Sequence, residues 1–204
     1  MIQEHVHHYL PFLKSALTPP RLQYSTGAMR VMGELAEIYA LDRAQAMTAG
    51  LLHDAARDLE PERQLALAEE AKIEFSHACE RHPVYLHAPV GAYLVSKELG
   101  VPDGLILDSI SIHSFVGDGD GFDAPFSWCL RFADILAPVK EWKGIKKLES
   151  FVYAGHIEEA ALLQCGWLIE YFQEIDIPVH PNLTKSFQAL SAQLRTADSF
   201  FERW

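Results

Sequence analysis

The clearest chemical signal in the chain is at His53 and Asp54, two adjacent residues that end an alanine-rich helical run over residues 44–52. A neutral imidazole nitrogen and an anionic carboxylate oxygen can bind the same divalent cation, such as iron, manganese, zinc or magnesium. Two neighbouring side chains reach one cation when the helix ends or widens at that point. Because a His-Asp dipeptide also arises by chance in many chains, the pair predicts a metal site only if other ligands join it.

Three further polar residues, His87, His113 and Asp134, each interrupt an otherwise apolar helical segment. Taken singly, such a residue is more often a hydrogen-bonded core side chain or a helix cap than a ligand. Asp134 stands between Phe132 and Leu136, and burying an ionised carboxylate there is costly unless a cation or several hydrogen-bond donors meet it. Together with His53 and Asp54, these three residues predict one metal centre.

The elements that must position these residues are helices. Apolar residues recur at spacings of three and four, as at Met32, Leu35, Ala36 and Tyr39, and strand-like alternation is scarce. The pattern predicts an all-α, single-domain helical bundle over residues 1–204, with breaks at prolines and glycines and a helix cap at Asp42. The predicted helices run over about 4–16, 19–40, 42–54, 61–72, 86–99, 102–113, a short segment containing 128–134, 149–173 and 185–201.

Composition narrows the possible partners. The 204 residues are 49% hydrophobic, which is enough for one sizeable core. A net charge of -11 opposes binding to long nucleic acid or to an anionic membrane surface, so a small anionic substrate would need bound cations and a few well-placed Lys or Arg residues. No apolar run reaches the length of a membrane span and no signal-type stretch opens the chain, so we expect a soluble, cytoplasmic protein. Three widely spaced cysteines are expected to be reduced core residues.

Other candidate features favour structural explanations. The acidic loop over residues 117–125 has the composition of a calcium loop, but its closing Gly and distal Glu are out of register, so a solvated turn is favoured. A solvated loop is also favoured for the basic stretch at residues 140–147, over a pocket rim or a nucleic-acid patch. His180 has no carboxylate partner in a recognisable sequence pattern.

The order His-Asp, His, His and Ala-Asp on an all-α chain resembles the HD-domain metal phosphohydrolases. It is most similar to the YqeK-type symmetrical diadenosine tetraphosphate hydrolases. The matching stretches are residues 49–58 (AGLLHDAARD), 87–94 (HAPVGAYL), 112–114 (IHS), 132–134 (FAD) and 177–182 (IPVHPN). Five separated segments in one order are far more specific than the dipeptide. The resemblance implies an HD-type bundle and a metal-dependent phosphohydrolase that acts on a dinucleoside polyphosphate or a related nucleotide.

The resemblance also implies roles for the site residues. His53, Asp54 and Asp134 would hold one metal, while His87 and His113 would hold a second metal or bind substrate phosphate, with Asp54 able to bridge. Iron is the cofactor that the family suggests, and manganese or magnesium would suit the same mixture of ligands. The family also suggests a homodimer.

Arg57 and Lys140 would bind the outer phosphates, and Asp54 and Arg57 would be the catalytic residues. Tyr24 stands where the family has a histidine ligand, and a phenol is a poor ligand at neutral pH unless the metal deprotonates it. A Lys and a Glu that the family has after its last aspartate ligand are also absent. The sequence therefore leaves two functions open. A hydrolase is favoured because most of the expected polar positions persist, and the alternative is an inactive HD domain that binds a nucleotide or a protein.

Overall fold

A computed structural model of the protein describes residues 6–102, 104–115, 125–137 and 144–196, with side chains up to residue 194. Over these residues the chain is helical and contains no β-strand, so the predicted all-α class is confirmed. The helices are α1 (Leu10–Ala16), α2 (Pro19–Ile38), α3 (Arg43–Leu52), α4 (Pro61–Glu70), a 3-10 helix (Ala78–Arg81), α5 (Pro83–Leu99), α6 (Gly104–Ile112), α7 (Pro125–Leu136), α8 (Ile145–Tyr153), α9 (Ile157–Glu174) and α10 (Pro181–Thr196).

Local capping chemistry sets several of these boundaries. The Asp42 side chain accepts a hydrogen bond from the Gln45 N–H at 2.9 Å and so caps α3 as predicted. α5 begins at Pro83 rather than at Leu86, because proline suits the first turn of a helix and His82 caps it through the Val84 N–H. Helices α2, α4 and α10 also have proline in their first turn.

The sequence-based boundaries were wrong in the C-terminal part. The segment predicted as one helix over residues 149–173 is two helices, α8 and α9, separated at Gly155, whose φ of 81° lies in the left-handed region. The last helix begins at Pro181, earlier than the predicted Lys185. The predicted loop over residues 117–124 lies outside the described residues, as does the start of the first predicted helix.

The apolar faces of the helices meet in one main core, in which Tyr85, Trp128 and Phe132 are the largest fully buried side chains. A smaller cluster contains Leu67 of α4 and Leu86 of α5. The three cysteines are free thiols, and two of them are fully buried. None of the described helices combines the length and the apolar composition needed to cross a bilayer.

Helices α2 and α3 approach so closely at Gly50 that a side chain has no room there. A Cβ atom on Gly50 would lie 2.8 Å from Met29 Cα and 2.9 Å from the Ala28 carbonyl oxygen. Both contacts are with backbone, which cannot move aside as the end of a flexible side chain can. The approach sets the position of the α3 C-terminus and therefore of His53 and Asp54.

Replacing Gly50 with alanine is expected to lower the free energy of unfolding by about 1–3 kcal/mol, because the two helices must separate to admit the methyl group. Gly104→Ala is the control, since the nearest atom to its new Cβ, Asp108 Oδ2, is 4.0 Å away. That change should leave stability unaltered or raise it by about 0.5–1 kcal/mol. Urea unfolding followed by circular dichroism measures both, and equal stability of the two variants would contradict the close approach.

Candidate functional site

The five predicted ligand side chains converge, although they come from four parts of the chain. His53 and Asp54 follow the last residue of α3, His87 lies in α5, His113 follows α6, and Asp134 lies in α7. Asp54 Oδ1 is 3.3 Å from His87 Nε2 and 3.8 Å from His113 Nε2. His53 Nε2 is 3.5 Å from Asp134 Oδ1 and 3.7 Å from Asp54 Oδ2. Four of the five residues are buried, and the side chain of Asp134 is 29% exposed.

The helix ends orient two of the imidazoles. The last carbonyl groups of an α-helix have no partner within the helix, and a side chain that follows the helix can donate to them. His53 Nδ1 donates to the Gly50 carbonyl at 2.8 Å, and His113 Nδ1 donates to the Ile110 carbonyl at 2.7 Å. Because Nδ1 carries the hydrogen in both rings, the lone pair of each neutral ring is on Nε2 and points into the cluster.

His87 completes the imidazole group. Its Nδ1 lies 3.1 Å from the Pro83 carbonyl oxygen and 3.1 Å from Arg57 Nη1, and its Nε2 lies 3.1 Å from His113 Nε2. Two ring nitrogens at that separation repel each other if both present lone pairs, unless a proton or a cation lies between them. The contact is therefore favourable either with a hydrogen on one of the two nitrogens or with a cation beside the rings.

The donor set fits a divalent metal ion. His53 Nε2 is buried and has no hydrogen-bond partner in the part of the chain that the structure describes. An unpaired buried nitrogen is costly, and a cation would satisfy it. One ligand atom each from His53, Asp54 and His113 lie within 4.8 Å of one another. Nitrogen and carboxylate ligands together suit iron, manganese and zinc.

The charges in the cluster favour a cation as well. Burial would lower the pKa of His53, but the Asp54 carboxylate, with a contribution from Asp134, raises it to about 9. Burial would raise the pKa of Asp54, but the imidazole of His53, with those of His113 and His87, holds it well below its ordinary value. Burial lowers the pKa of His87 to about 4. At neutral pH the centre thus keeps an ionised Asp54 beside a neutral His87, while the two carboxylates favour a positive charge at His53. A bound cation can supply that charge in place of the proton of His53.

Tyr24 contacts the cluster as a hydrogen-bond donor. Its Oη donates to Asp134 Oδ1 at 2.8 Å and also contacts the Asp134 main-chain carbonyl oxygen. Burial, together with the nearby Asp134 carboxylate, raises the pKa of Tyr24 far above its ordinary value. The phenol therefore keeps its proton, and it orients one oxygen of the Asp134 carboxylate.

Sequence reasoning did not include Arg21 among the site residues. Arg21 Nη1 lies 3.2 Å from Asp54 Oδ2, and its Nε lies 3.4 Å from Asp58 Oδ1. Asp58 is held by the N–H and the hydroxyl of Thr18, at 2.8 and 2.7 Å. The position of Arg21 three residues before Tyr24, on the same face of one helix, was the available signal.

Buried polar contacts hold the segment around His113, and the sequence indicated none of them. Arg131 of α7 donates through Nη1 to the carbonyl groups of His113, at 3.1 Å, and Phe115. Ser114 Oγ donates to the Tyr85 carbonyl at 3.3 Å, which lacks its usual helical donor because Pro89 has no N–H. The end of α6 is thereby tied to both α7 and α5.

His180 has a carboxylate partner that no sequence pattern indicated. Its Nδ1 accepts from the Asn182 N–H at 3.1 Å, so Nε2 carries the hydrogen and donates to Glu80 Oε1 at 3.0 Å. The ring stacks on Phe115 with centroids 4.4 Å apart. His180 therefore links the chain before α10 to the segment that follows His113.

The cluster opens into a cavity of about 390 Å³. Its lining includes Asp54, His87, His113 and Asp134, the guanidinium groups of Arg21 and Arg57, and apolar side chains of α9 and the following segment. Lys140, predicted to bind substrate, lies outside the described residues. The structure thus brings together all the predicted site residues that it describes.

Comparisons with known proteins show which proteins the chain is similar to. The family model described as HD domain matches residues 22–152. A Bacillus subtilis (strain 168) protein named bis(5'-nucleosyl)-tetraphosphatase, symmetrical, is 37% identical over 173 residues, which are 85% of this chain and 90% of that protein. A protein of the same name from Halalkalibacterium halodurans is 28% identical over 181 residues, which are 89% of this chain and 94% of that one. A crystal structure from Clostridium acetobutylicum, titled a predicted HD superfamily hydrolase involved in NAD metabolism, has the same fold. Its TM-score is 0.82 at 24% identity, with 91% of this chain and 96% of that chain covered.

The buried His180 predicts a loss of stability in mild acid. Burial lowers the pKa of His180 below its ordinary value of 6.5, although Glu80 partly opposes this. Below pH 6.5 the unfolded chain therefore binds a proton at this position that the folded chain does not. The neutral His180 ring therefore contributes to the free energy of unfolding at neutral pH. That contribution is lost as the pH falls from about 6.5 toward the lower pKa of the folded state, by at most about 1.4 kcal/mol per pH unit.

Urea unfolding of the wild type and of His180→Asn between pH 7.5 and 5 tests this. The variant should be less stable at pH 7.5, and its stability should depend less steeply on pH below 6.5. His156→Asn is the control, since the side chain of His156 is 57% exposed, and it should keep the wild-type slope. A His180→Asn slope equal to that of the wild type would refute the assignment.

Proposed function

Because this chain belongs to the HD domain family, we propose that it is a metal-dependent phosphohydrolase that cleaves a dinucleoside polyphosphate. Two relatives that this chain covers almost completely are named as symmetrical bis(5'-nucleosyl)-tetraphosphatases. The observation that carries the proposal is the convergence of three imidazoles and two carboxylates beside a cavity that is also lined by two guanidinium groups. That combination suits a polyphosphate, which needs both cations and directional donors.

We assign His53, Asp54 and Asp134 to one divalent metal ion, and His87 and His113 to a second ion or to substrate phosphate. The two oxygens of Asp54 face different sets of imidazoles, so this carboxylate can bridge. The cation is proposed to be iron, and manganese or magnesium would suit the same ligands. When bound, such an ion supplies Lewis acidity and neutralises phosphate charge.

The chain's own cations complete the polyphosphate site. Arg57 lines the cavity beside His87, and Arg21 lines it beside Asp54. A guanidinium group can donate two parallel hydrogen bonds to phosphate oxygens, which fixes the orientation of the phosphate as well as its charge. Arg57 is therefore proposed to bind and orient the phosphate that is attacked, and Lys140 to add a charge toward the outer phosphates. Such local cations are needed because the whole chain carries a net charge of -11.

The experiment that tests the function combines metal analysis with product analysis. Protein purified without chelator is expected to contain a transition metal, and with added iron or manganese it should convert diadenosine tetraphosphate to ADP as the only nucleotide product. Asp54→Asn should lose bound metal and at least about a hundredfold in kcat/KM, because it removes a carboxylate that would hold the metal. Asp108→Asn, on the exposed surface of α6, is the control and should retain both. Bound metal without ADP release would instead establish an inactive binding domain.

Because Tyr24 contacts Asp134 through its hydroxyl, we expect two substitutions of Tyr24 to differ in their effect on metal affinity. Tyr24→His places a nitrogen ligand where a protonated phenol now stands, so it is expected to raise the affinity for manganese by about tenfold or more. Tyr24→Phe removes the donor to Asp134 and adds no ligand, so it should show no such gain. Competition with a chromophoric chelator measures both affinities. Equal affinities in the two variants would show that the gain does not come from a ligand at this position.

A further inference from the structure

Two chemically different sets of residues line the cavity. The polar set includes the imidazoles of His87 and His113, the carboxylates of Asp54 and Asp134 and the guanidinium groups of Arg21 and Arg57. An apolar set comes from one stretch of the chain: Leu168, Tyr171 and Phe172 of α9, and Ile175 and Ile177 just after it. We refer to these five residues as the α9 wall. A phosphate group would be poorly solvated against this surface, so the wall suits an uncharged part of a ligand.

The α9 wall has a buried base and an exposed upper surface. Phe172 is 4% exposed and packs edge-to-face on Tyr85, with ring centroids 5.6 Å apart. By contrast, Tyr171 is 40% exposed and Ile175 is 44% exposed, although both are large apolar residues that line the cavity. The bundle therefore does not need these two side chains for its own core, and their exposed surface is available to a ligand.

The α9 wall also lies beyond the part of the chain that carries the metal-binding residues. The HD domain match ends at residue 152, whereas α9 begins at Ile157. The wall nevertheless faces the same cavity as Asp54 and Arg57. The chemistry of the site and the apolar contact surface are thus supplied by different segments that meet across one cavity.

We propose that the α9 wall is the nucleobase subsite, in which Tyr171 and Ile175 bind the flat face of a base while its phosphates extend toward Arg21 and Arg57. This inference rests on the proposed function and specifies which residues determine that the substrate is a nucleotide. A base is planar and uncharged, and it stacks on aromatic and aliphatic side chains. A cavity of about 390 Å³ is within the usual range for a small-molecule site.

The test compares two phosphate-containing probes, of which only one carries a nucleoside. The full chain, loaded with manganese, is titrated calorimetrically with ADP and with inorganic tripolyphosphate. Ile175→Ser and the double variant Tyr171→Ala with Ile175→Ser are expected to weaken ADP binding by about tenfold or more and to change tripolyphosphate binding by less than about twofold. Leu105→Ser is the matched control, because Leu105 is 42% exposed on α6 and is not among the residues that line the cavity. It should change neither affinity.

Steady-state kinetics of the same variants provide a second test of the subsite. For diadenosine tetraphosphate, the two wall variants should raise KM and leave kcat within about twofold, since the base is distant from the bond that breaks. Unchanged ADP affinity in both variants, or equal loss for ADP and tripolyphosphate, would overturn the subsite. A change in oligomeric state with unchanged ADP affinity would also overturn it, because the wall would then be a contact between copies of the chain.

Different experimental results would refute the nucleobase subsite and the proposed hydrolase activity. Selective loss of ADP binding in a chain that releases no product would support the subsite and refute the hydrolase. ADP release with wild-type ADP affinity in both wall variants would refute the subsite alone.

Discussion

A buried carboxylate, Asp54, is the constraint on which the arrangement of the site depends. Its side chain is only 4% exposed, and an ionised carboxylate is stable in such a position only when positive charge or several donors surround it. Here the partners are the imidazoles of His87 and His113 on one oxygen and the guanidinium of Arg21 on the other. These groups come from α5, the end of α6 and α2, so the packing of those helices and the charge of Asp54 depend on each other.

The same type of local hydrogen bond positions two of the imidazoles. His53 and His113 each follow the end of a helix and donate from Nδ1 to a carbonyl three residues earlier. This contact adds a donor to a carbonyl at the end of the helix and at the same time presents the Nε2 lone pair to the centre. The same hydrogen bonds therefore stabilise the helix ends and orient the ligands. Because α3 packs closely against α2 at Gly50, the position of His53 also depends on α2.

Two of the seventeen basic side chains of the protein lie where a polyphosphate would need positive charge. Arg21 and Arg57 line the cavity, whereas Arg131 lies in the core and holds the carbonyl groups at the end of α6. The proposed function uses the first two for phosphate and the third only to hold His113 in place. The apolar α9 wall lines the same cavity, so the proposed contacts to phosphate and to base are made by different sets of residues.

The sequence by itself determined the helical class, most of the N-terminal boundaries and the identity of the five clustered side chains. Proline positions, the Asp42 cap and the cost of burying a residue such as Asp134 all act within a turn or two of helix, so they can be deduced from neighbouring residues. The tertiary structure decided which partners those residues meet. The Glu80–His180 pair joins residues 100 positions apart, Tyr24 donates to a carboxylate 110 positions away, and the α9 wall faces a site in a different segment. Such partners depend on which helix faces pack together, and packing is a property of the whole chain that no local pattern specifies.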